Sequence, residues 1–212
     1  MICVSLREPD VERLRDALRG LDLAEIRLDL IRLTAAEVKS VFSLPVSLVA
    51  SFRPGRAGDG ERLESLALAI RSGAKYADVE VESPEDFRRE VGAMARSSGC
   101  RLIVSHHDDR ATPARDTLDD IADRCRTSGA DITKIACRVH SPSDCARLLS
   151  LYDRPEPMIA LGLGELGAFT RVVAPLLGAP FTYASLAPGK ETADGQLDRT
   201  TLGERIKALT GT

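Results

Sequence analysis

Residues 101–125 read RLIVSHHDDRATPARDTLDDIADRC and hold the unit that repeats along the whole chain. The stretch opens with an apolar run, Leu102-Ile103-Val104, of the kind that forms a buried strand. A stripe at helical spacing follows it, made of Leu118, Ile121, Ala122 and Cys125. A strand followed by an amphipathic helix is one βα unit of a parallel sheet.

The same alternation continues in both directions without a linker. Strands are predicted at residues 2–6, 23–28, 46–51, 76–81, 101–106, 132–136, 157–161 and 181–185. A helical segment follows each strand, so residues 1–212 carry eight βα units. The pattern favours a single-domain α/β fold, the (β/α)8 TIM barrel. An open doubly wound sheet is the alternative, although no G-x-G-x-x-G follows the first strand.

Three segments carry signals for the start of a helix. Thr34-Ala35-Ala36-Glu37 has the spacing of a capping box. Ser83-Pro84-Glu85-Asp86 and Ser141-Pro142-Ser143-Asp144 each place a serine before a proline and an acid. Each of these two segments predicts a serine N-cap with proline at the first helical position.

Composition limits the partners of this chain. The 212 residues carry a net charge of −3, which gives no support to a nucleic-acid or anionic-membrane partner. No apolar run approaches the roughly 20 residues that span a bilayer, and the first residues show no signal-peptide core. No two cysteines have C-x-x-C spacing, so we expect core thiols in a reducing, cytoplasmic compartment and no metal site. The five cysteines are Cys3, Cys100, Cys125, Cys137 and Cys145.

Charged residues stand where buried strands should be apolar. In Glu25-Ile26-Arg27-Leu28-Asp29, the two-residue period of a strand puts the charges on one face. Asp78-Val79-Glu80-Val81-Glu82 repeats the pattern. We expect these charges to point into the barrel or its mouth, because active sites of this fold lie at the C-terminal strand ends. A purely structural network of ion pairs is the alternative.

A histidine pair and one lysine stand out at strand positions. Two of the three histidines lie together in Ser105-His106-His107-Asp108. Lys134 is the only one of five lysines inside an apolar strand, in Asp131-Ile132-Thr133-Lys134-Ile135-Ala136. Burial favours the uncharged amine that attack on a carbonyl requires, so Lys134 is a candidate nucleophile. The alternative is a structural lysine paired with Glu25 or Glu80.

Two arginines complete the candidate site as anion-binding groups. Arg53 follows the third strand, and Arg171 follows the glycine-rich residues 162–167. A glycine-rich loop after strand seven either cradles a phosphate or turns tightly to bring Arg171 to a carboxylate. The polar loop at residues 187–196, after strand eight, has the composition of a mobile lid.

The motifs that hold these residues resemble, in order and spacing, those of the type I 3-dehydroquinate dehydratases. The family's E-x-R-x-D stands here as residues 25–29, and its strand-three arginine corresponds to Arg53. Its S-x-H-D stands as residues 105–108, which selects His107, and its D-x-x-K-x-A stands as residues 131–136. The resemblance covers nearly the whole chain.

Several positions depart from the family pattern. Thr170-Arg171 and residues 192–196 carry threonine where the family's S-R and S-x-x-G-Q motifs have serine, and the hydroxyl is kept. Leu161 and Leu163 stand where many members have methionine. Ala57 or its neighbour stands where many members have a glutamate, so one acidic contact near the lysine is in question. The N-terminal hairpin of longer members is expected to be absent.

The resemblance implies a lyase that dehydrates 3-dehydroquinate to 3-dehydroshikimate through a lysine Schiff base, in chorismate and aromatic amino acid biosynthesis. Lys134 would form the imine, His107 would move the protons, and Glu25 would orient and charge-balance His107. The implied substrate-binding residues are Ser5, Glu25, Arg27, Arg53, Arg171, Thr192 and Gln196. The implied enzyme is cytoplasmic and homodimeric, with a small-molecule substrate and no metal or organic cofactor.

Two other functions fit the same residues. A class I aldolase would use the same lysine but usually binds a phosphate, here near Gly164 and Gly167. A non-catalytic barrel that binds a small acid or a protein would pair its charged strand ends only with each other.

Overall fold

A computed structural model describes residues 1–211 and alternates eight strands with eight α-helices. The strands are β1 Ile2–Leu6, β2 Leu23–Arg27, β3 Ser47–Ser51, β4 Tyr76–Glu80, β5 Arg101–Asp108, β6 Ile132–Arg138, β7 Met158–Leu163 and β8 Thr182–Ser185. The helices are α1 Val11–Leu18, α2 Ala35–Phe42, α3 Asp59–Arg71, α4 Glu85–Ser97, α5 Arg115–Thr127, α6 Pro142–Leu149, α7 Ala168–Val173 and α8 Arg199–Thr210. Short 3-10 helices at Ser150–Asp153 and Ala174–Leu177 follow α6 and α7.

The strands form one parallel sheet in the order β7-β6-β5-β4-β3-β2-β1-β8. β1 pairs with both β2 and β8, so the sheet curves round on itself and the predicted barrel is confirmed. A doubly wound sheet would reverse its strand order at a switch point, which this order excludes. Within residues 1–211 no ladder joins β7 to β8, so the barrel is nearly closed.

Three strands extend further toward their C-terminal ends than predicted. β5, β6 and β7 end at residues 108, 138 and 163, whereas the sequence predicted ends at 106, 136 and 161. The polar residues there read as loop, but the β5–β6 ladder continues through the pair His107 and Ala136. Backbone pairing therefore holds His107 on a strand rather than on a loop.

Two of the three predicted helix starts are confirmed. Thr34 and Ser141 are N-caps with reciprocal capping-box hydrogen bonds. The prediction for Ser83 is wrong, because α4 begins at Glu85 with Pro84 as its N-cap. The Ser83 hydroxyl instead accepts a hydrogen bond from Arg62 Nη2 at 3.1 Å. A tertiary contact thus takes the group that would have capped the helix.

The apolar core lies in two places. The larger part packs the outer faces of the strands against the helices, and includes the predicted stripe of α5. A smaller cluster fills the lower barrel interior, with Cys3, Leu23, Val49, Ile103, Ile132, Ile159 and Phe181 among its members. All five cysteines are buried and free, and burial raises the pKa of Cys100, Cys125 and Cys137 to about 12. No helix within residues 1–211 is long and apolar enough to cross a membrane.

Candidate active site

The inward side chains change from apolar to polar along the strands. Leu23 and Ile132 belong to the apolar lower interior, and two residues further along the same strands lie Glu25 and Lys134. Both of these charged side chains are buried. The charged layer therefore lies at the C-terminal end of the barrel, as the alternation predicted.

One cavity at this end brings all the predicted site residues together. They are Ser5, Glu25, Arg27, Arg53, His107, Lys134, Arg171, Thr192 and Gln196. The free volume of this cavity is only about 30 Å³. Thr192 and Gln196 come from the loop after β8, so a larger molecule can enter only if this loop moves. Within residues 1–211 no group of three or more potential metal ligands lies close enough to hold an ion.

The Lys134 amine lies between two carboxylates and an aromatic ring. Its Nζ donates to Asp78 Oδ2 at 2.7 Å and is 3.8 Å from Glu25 Oε1. The ring centroid of Tyr183 is 4.3 Å from Nζ. Two buried carboxylates therefore face this amine. The alternative prediction was a structural lysine paired with Glu25 or Glu80. The structure shows the pair with Glu25 and none with Glu80 in residues 1–211.

Glu25 faces Lys134 and is bound by Ser5. The Ser5 hydroxyl donates to Glu25 Oε2. Burial disfavours the carboxylate, but Lys134, Arg27 and the Ser5 hydrogen bond outweigh burial and lower the pKa of Glu25 to about 2. Glu25 is therefore a fixed negative charge beneath the cavity.

His107 is buried beside Glu80. Its Nδ1 is 3.2 Å from Glu80 Oε1, although neither ring nitrogen has an aligned hydrogen bond. Burial, with Arg53 and Lys134 nearby, holds the pKa of His107 well below its ordinary value. The imidazole is therefore neutral at neutral pH and can accept a proton.

The expected contact between Glu25 and His107 is corrected by this geometry, because Glu80 makes that contact. β4 pairs directly with β5, and Glu80 lies level with Ser105 in their ladder. β2, which carries Glu25, is separated from β5 by two strands. Glu25 acts on His107 only through its charge, which raises the pKa of His107.

His106 and Glu82 lie outside the cavity and pair with each other. His106 Nδ1 is 2.7 Å from Glu82 Oε1. The expectation that Glu82 points into the barrel is wrong, because β4 ends at Glu80 and the two-residue period ends with it. Motif matching selected His107 over His106, and only His107 lines the cavity.

Two arginines of the cavity, Arg27 and Arg171, differ in whether they form an ion pair with a carboxylate of the protein. Arg27 makes a bidentate pair with Asp29, at 2.9 Å from Nε to Oδ1 and 2.7 Å from Nη2 to Oδ2. Arg171 is only 2% exposed, and its side chain has no hydrogen-bond or ion-pair partner within residues 1–211. Burial lowers the pKa of Arg171 to about 10. An unpaired buried guanidinium facing a cavity is a ready site for an anion.

The glycine-rich stretch after β7 forms a tight turn in which the amides of Gly164 and Gly167 are already used. Gly164 N–H donates to the Asp194 carbonyl at 3.1 Å, and Gly167 N–H donates to the Gly164 carbonyl at 3.0 Å. Gly195, with φ of +71°, packs on this turn so closely that an added Cβ would lie 2.0 Å from the Gly164 oxygen. The turn therefore holds the lid, and the amides of Gly164 and Gly167 are not free to bind a phosphate.

Two ion pairs also fasten the lid to the barrel. Asp194 pairs with Arg138 at the end of β6. Lys190 Nζ donates to Glu8 Oε2, after β1, at 3.1 Å. The loop is thus bound to the barrel mouth at two points, Lys190 and Asp194.

Three residues with a place in the site were missed by the sequence prediction. Asp78 is the nearest partner of Lys134, Glu80 is the neighbour of His107, and Tyr183 contacts Lys134 through its ring. The alternation in residues 78–82 was a signal for the two acids. Tyr183 lies in a short apolar strand and gave no such signal.

Comparisons with known proteins agree with this geometry. The sequence profile of the family described as Type I 3-dehydroquinase matches residues 2–211. A 3-dehydroquinate dehydratase of Methanococcus vannielii is 33% identical over 99% of this chain and 100% of its own length. One of Desulfotalea psychrophila is 34% identical over 92% of each chain. The crystal structure of 3-dehydroquinate dehydratase from Geobacillus kaustophilus superposes with a TM-score of 0.89 at 25% identity, over 99% of this chain and 91% of that one.

Proposed function

Because this chain belongs to the type I 3-dehydroquinase family, we propose that it dehydrates 3-dehydroquinate to 3-dehydroshikimate through a Schiff base on Lys134. The observation that carries the proposal is one cavity holding a buried amine, a neutral imidazole and an unpaired guanidinium. We place the reaction in cytoplasmic chorismate and aromatic amino acid biosynthesis. Residues 1–212 act as one catalytic domain.

The first step of the proposed reaction forms the imine. Lys134 must first lose a proton, and Asp78, at 2.7 Å, is the nearest acceptor. The free amine attacks the ring ketone, and the proton held by Asp78 returns to the hydroxyl of the resulting carbinolamine, which leaves as water and gives a protonated imine. This cation lies where the ammonium was, so Glu25 and Asp78 stabilise it in turn.

The second step removes water from the ring. The protonated imine draws electrons from the adjacent C–H bond, and His107 accepts that proton. His107 then gives a proton to the departing hydroxyl, which leaves as water. Hydrolysis of the imine releases the product and restores Lys134. None of these reaction steps uses a metal or an organic cofactor.

Binding is assigned to the groups that line the cavity around Lys134. Arg171 would hold the substrate carboxylate, since its guanidinium is buried and unpaired. Ser5, Arg27 and Arg53 would support ring hydroxyls and balance charge. Thr192 N–H and hydroxyl both donate to Gln196 Oε1, and these two residues would contact the substrate from the lid.

The site geometry is less favourable to the two other functions. An aldolase of this type would need free amides near Gly164 for a phosphate, and the amides of Gly164 and Gly167 are used by the lid and within the turn. A purely binding barrel predicts that the charged strand ends pair only with each other. Within residues 1–211, Arg53 and Arg171 line the cavity without any ion pair.

Borohydride trapping tests the proposal. We expect reduction in the presence of 3-dehydroquinate to give a stable adduct on Lys134, and no adduct in Lys134→Ala. Lys39→Ala is the control: it removes an exposed lysine of α2, and the adduct should still form. His107→Ala should still form the adduct while turnover falls by about 10²- to 10⁴-fold. Trapping only with sugar phosphates would favour an aldolase, and no trapping would favour a binding protein.

We also propose that the protein is a homodimer and that the second copy docks on the groove between α7 and α8. The groove, of about 980 Å³, is lined by the exposed apolar residues Leu166, Phe169 and Leu209. Glu165 and Arg205 also line it. In a two-fold contact Glu165 of one copy can face Arg205 of the other, so the surface is complementary to itself.

A further inference from the structure

His107 has one carboxylate neighbour within ion-pair distance in the described chain, residues 1–211. Glu80 Oε1 lies 3.2 Å from His107 Nδ1. Both side chains are largely buried, with 7% of His107 and 16% of Glu80 exposed. Neither ring nitrogen makes an aligned hydrogen bond, but only Nδ1 has a carboxylate beside it. The two ring nitrogens therefore have different surroundings, one with an acceptor and one without.

Strand register explains why Glu80 reaches this position. Glu80 is the last residue of β4 and lies level with Ser105 of β5. His107 is the next residue of β5 on the inward face, beyond the end of β4. The Glu80 side chain can therefore extend along the barrel to Nδ1. Ala57 stands near the position where many members of the family have a glutamate, and its methyl group offers no carboxylate to this ring.

We propose that Glu80 is the positioning residue of His107: its carboxylate accepts the Nδ1 proton and leaves the Nε2 lone pair for the substrate. The role rests on the proposed function of His107 as the base. A base must be held in one tautomer, and an acceptor at Nδ1 fixes that tautomer. The present contact is close but not aligned, and such contacts tighten when substrate binds.

The charges around the pair decide how its removal affects the imidazole. Arg53 on the β3 side and Lys134 on β6 lower the pKa of His107, while Asp78 and Glu25 raise it. Burial raises the pKa of Glu80, and Glu82 acts in the same direction, whereas Arg53, Lys134 and Arg62 oppose this rise. An ionised Glu80 at 3.2 Å stabilises the imidazolium, so removing its charge lowers the pKa of His107 further.

The chain offers a matched control for the experiment. Glu82 pairs with His106 at 2.7 Å, from the same two segments but outside the cavity. We expect Glu80→Gln to lower kcat on the order of 10- to 100-fold with little change in KM, less than loss of the whole base. The acid limb of the kcat profile should move to lower pH. Glu80→Asp should recover part of kcat, and Glu82→Gln should change neither quantity.

A second measurement separates this inference from the proposed function. NMR titration of the ring carbons of His107 without substrate should show a lower imidazole pKa in Glu80→Gln than in the parent protein, and no change in Glu82→Gln. That result holds even if the parent protein proves unable to dehydrate 3-dehydroquinate. Equal kcat, equal acid limb and equal His107 titration in Glu80→Gln and Glu82→Gln would overturn the inference.

Discussion

Arg171 shows at the scale of one residue how a binding group lowers the stability of the fold that holds it. Its guanidinium is buried without a partner, and burying an unpaired ion costs several kcal/mol. We expect Arg171→Met to raise the free energy of unfolding by roughly 1 kcal/mol or more. The same change removes a charge-assisted contact to the substrate, worth about 1.5–3 kcal/mol, and should raise KM about 10- to 100-fold. Urea unfolding and steady-state kinetics measure the two effects.

Arg62 is the control for this substitution because it is equally buried but paired. Its side chain contacts Asp59 at 2.5 Å and the Ser83 hydroxyl at 3.1 Å. Arg62→Met should therefore destabilise the protein, the opposite of the effect expected at Arg171. A stability loss of similar size in both variants would mean that Arg171 has a structural partner, and the binding role would lose its physical basis.

Residue positions were predictable from sequence, but residue contacts were not. The two-residue period placed Glu25 inside the barrel, the apolar strand around it singled out Lys134, and the motifs selected His107. The partner of His107 depends on which strands are neighbours and how they are shifted, and neither is encoded locally. The family resemblance implied Glu25, and the structure shows that Glu80, on the strand next to β5, is the contact.

At the scale of elements, the lid and the turn after β7 form one unit. Composition predicted a lid at residues 187–196 and a tight turn as one reading of residues 162–167. It could not show that the two pack together, since the contact joins segments that are distant along the chain. The Gly195 backbone lies against Gly164, at a distance that excludes a Cβ.

This contact predicts that Gly195→Ala disrupts the lid. An added Cβ would lie 2.0 Å from the Gly164 oxygen, so the loop must move away from the mouth. We expect kcat/KM to fall at least about tenfold, because Thr192 and Gln196 lose their places over the cavity. Limited proteolysis of the loop should become faster.

Gly189→Ala separates the clash from backbone strain. Gly189 also has a positive φ, +82°, but nothing lies within 4 Å of an added Cβ. Both alanines carry a similar strain of roughly 1 kcal/mol, so only the clash distinguishes the variants. Kinetics unchanged in Gly195→Ala, or equally impaired in both variants, would show that docking on the turn does not control the lid.

At the scale of the whole molecule, one barrel supports two surfaces of different character. The inner face changes from an apolar layer to a charged layer along the strand direction, and the sequence pattern was sufficient to predict this. The unpaired seam between β7 and β8 was not predictable, because it depends on how the last strands meet in space. On the outer face of residues 1–211, five of the six exposed large apolar residues lie between positions 166 and 209.

This uneven exposure supports the proposed homodimer and leads to its test. Phe169 is 56% exposed in the α7–α8 groove, and a charge there should oppose burial against a second copy. We expect the parent protein to have twice the mass of one chain by light scattering after size-exclusion chromatography, and Phe169→Glu to have the mass of one chain. Leu176→Glu, 45% exposed but outside the groove, should remain dimeric. A monomeric parent protein would refute the dimer, and a dimeric Phe169→Glu would place the interface elsewhere.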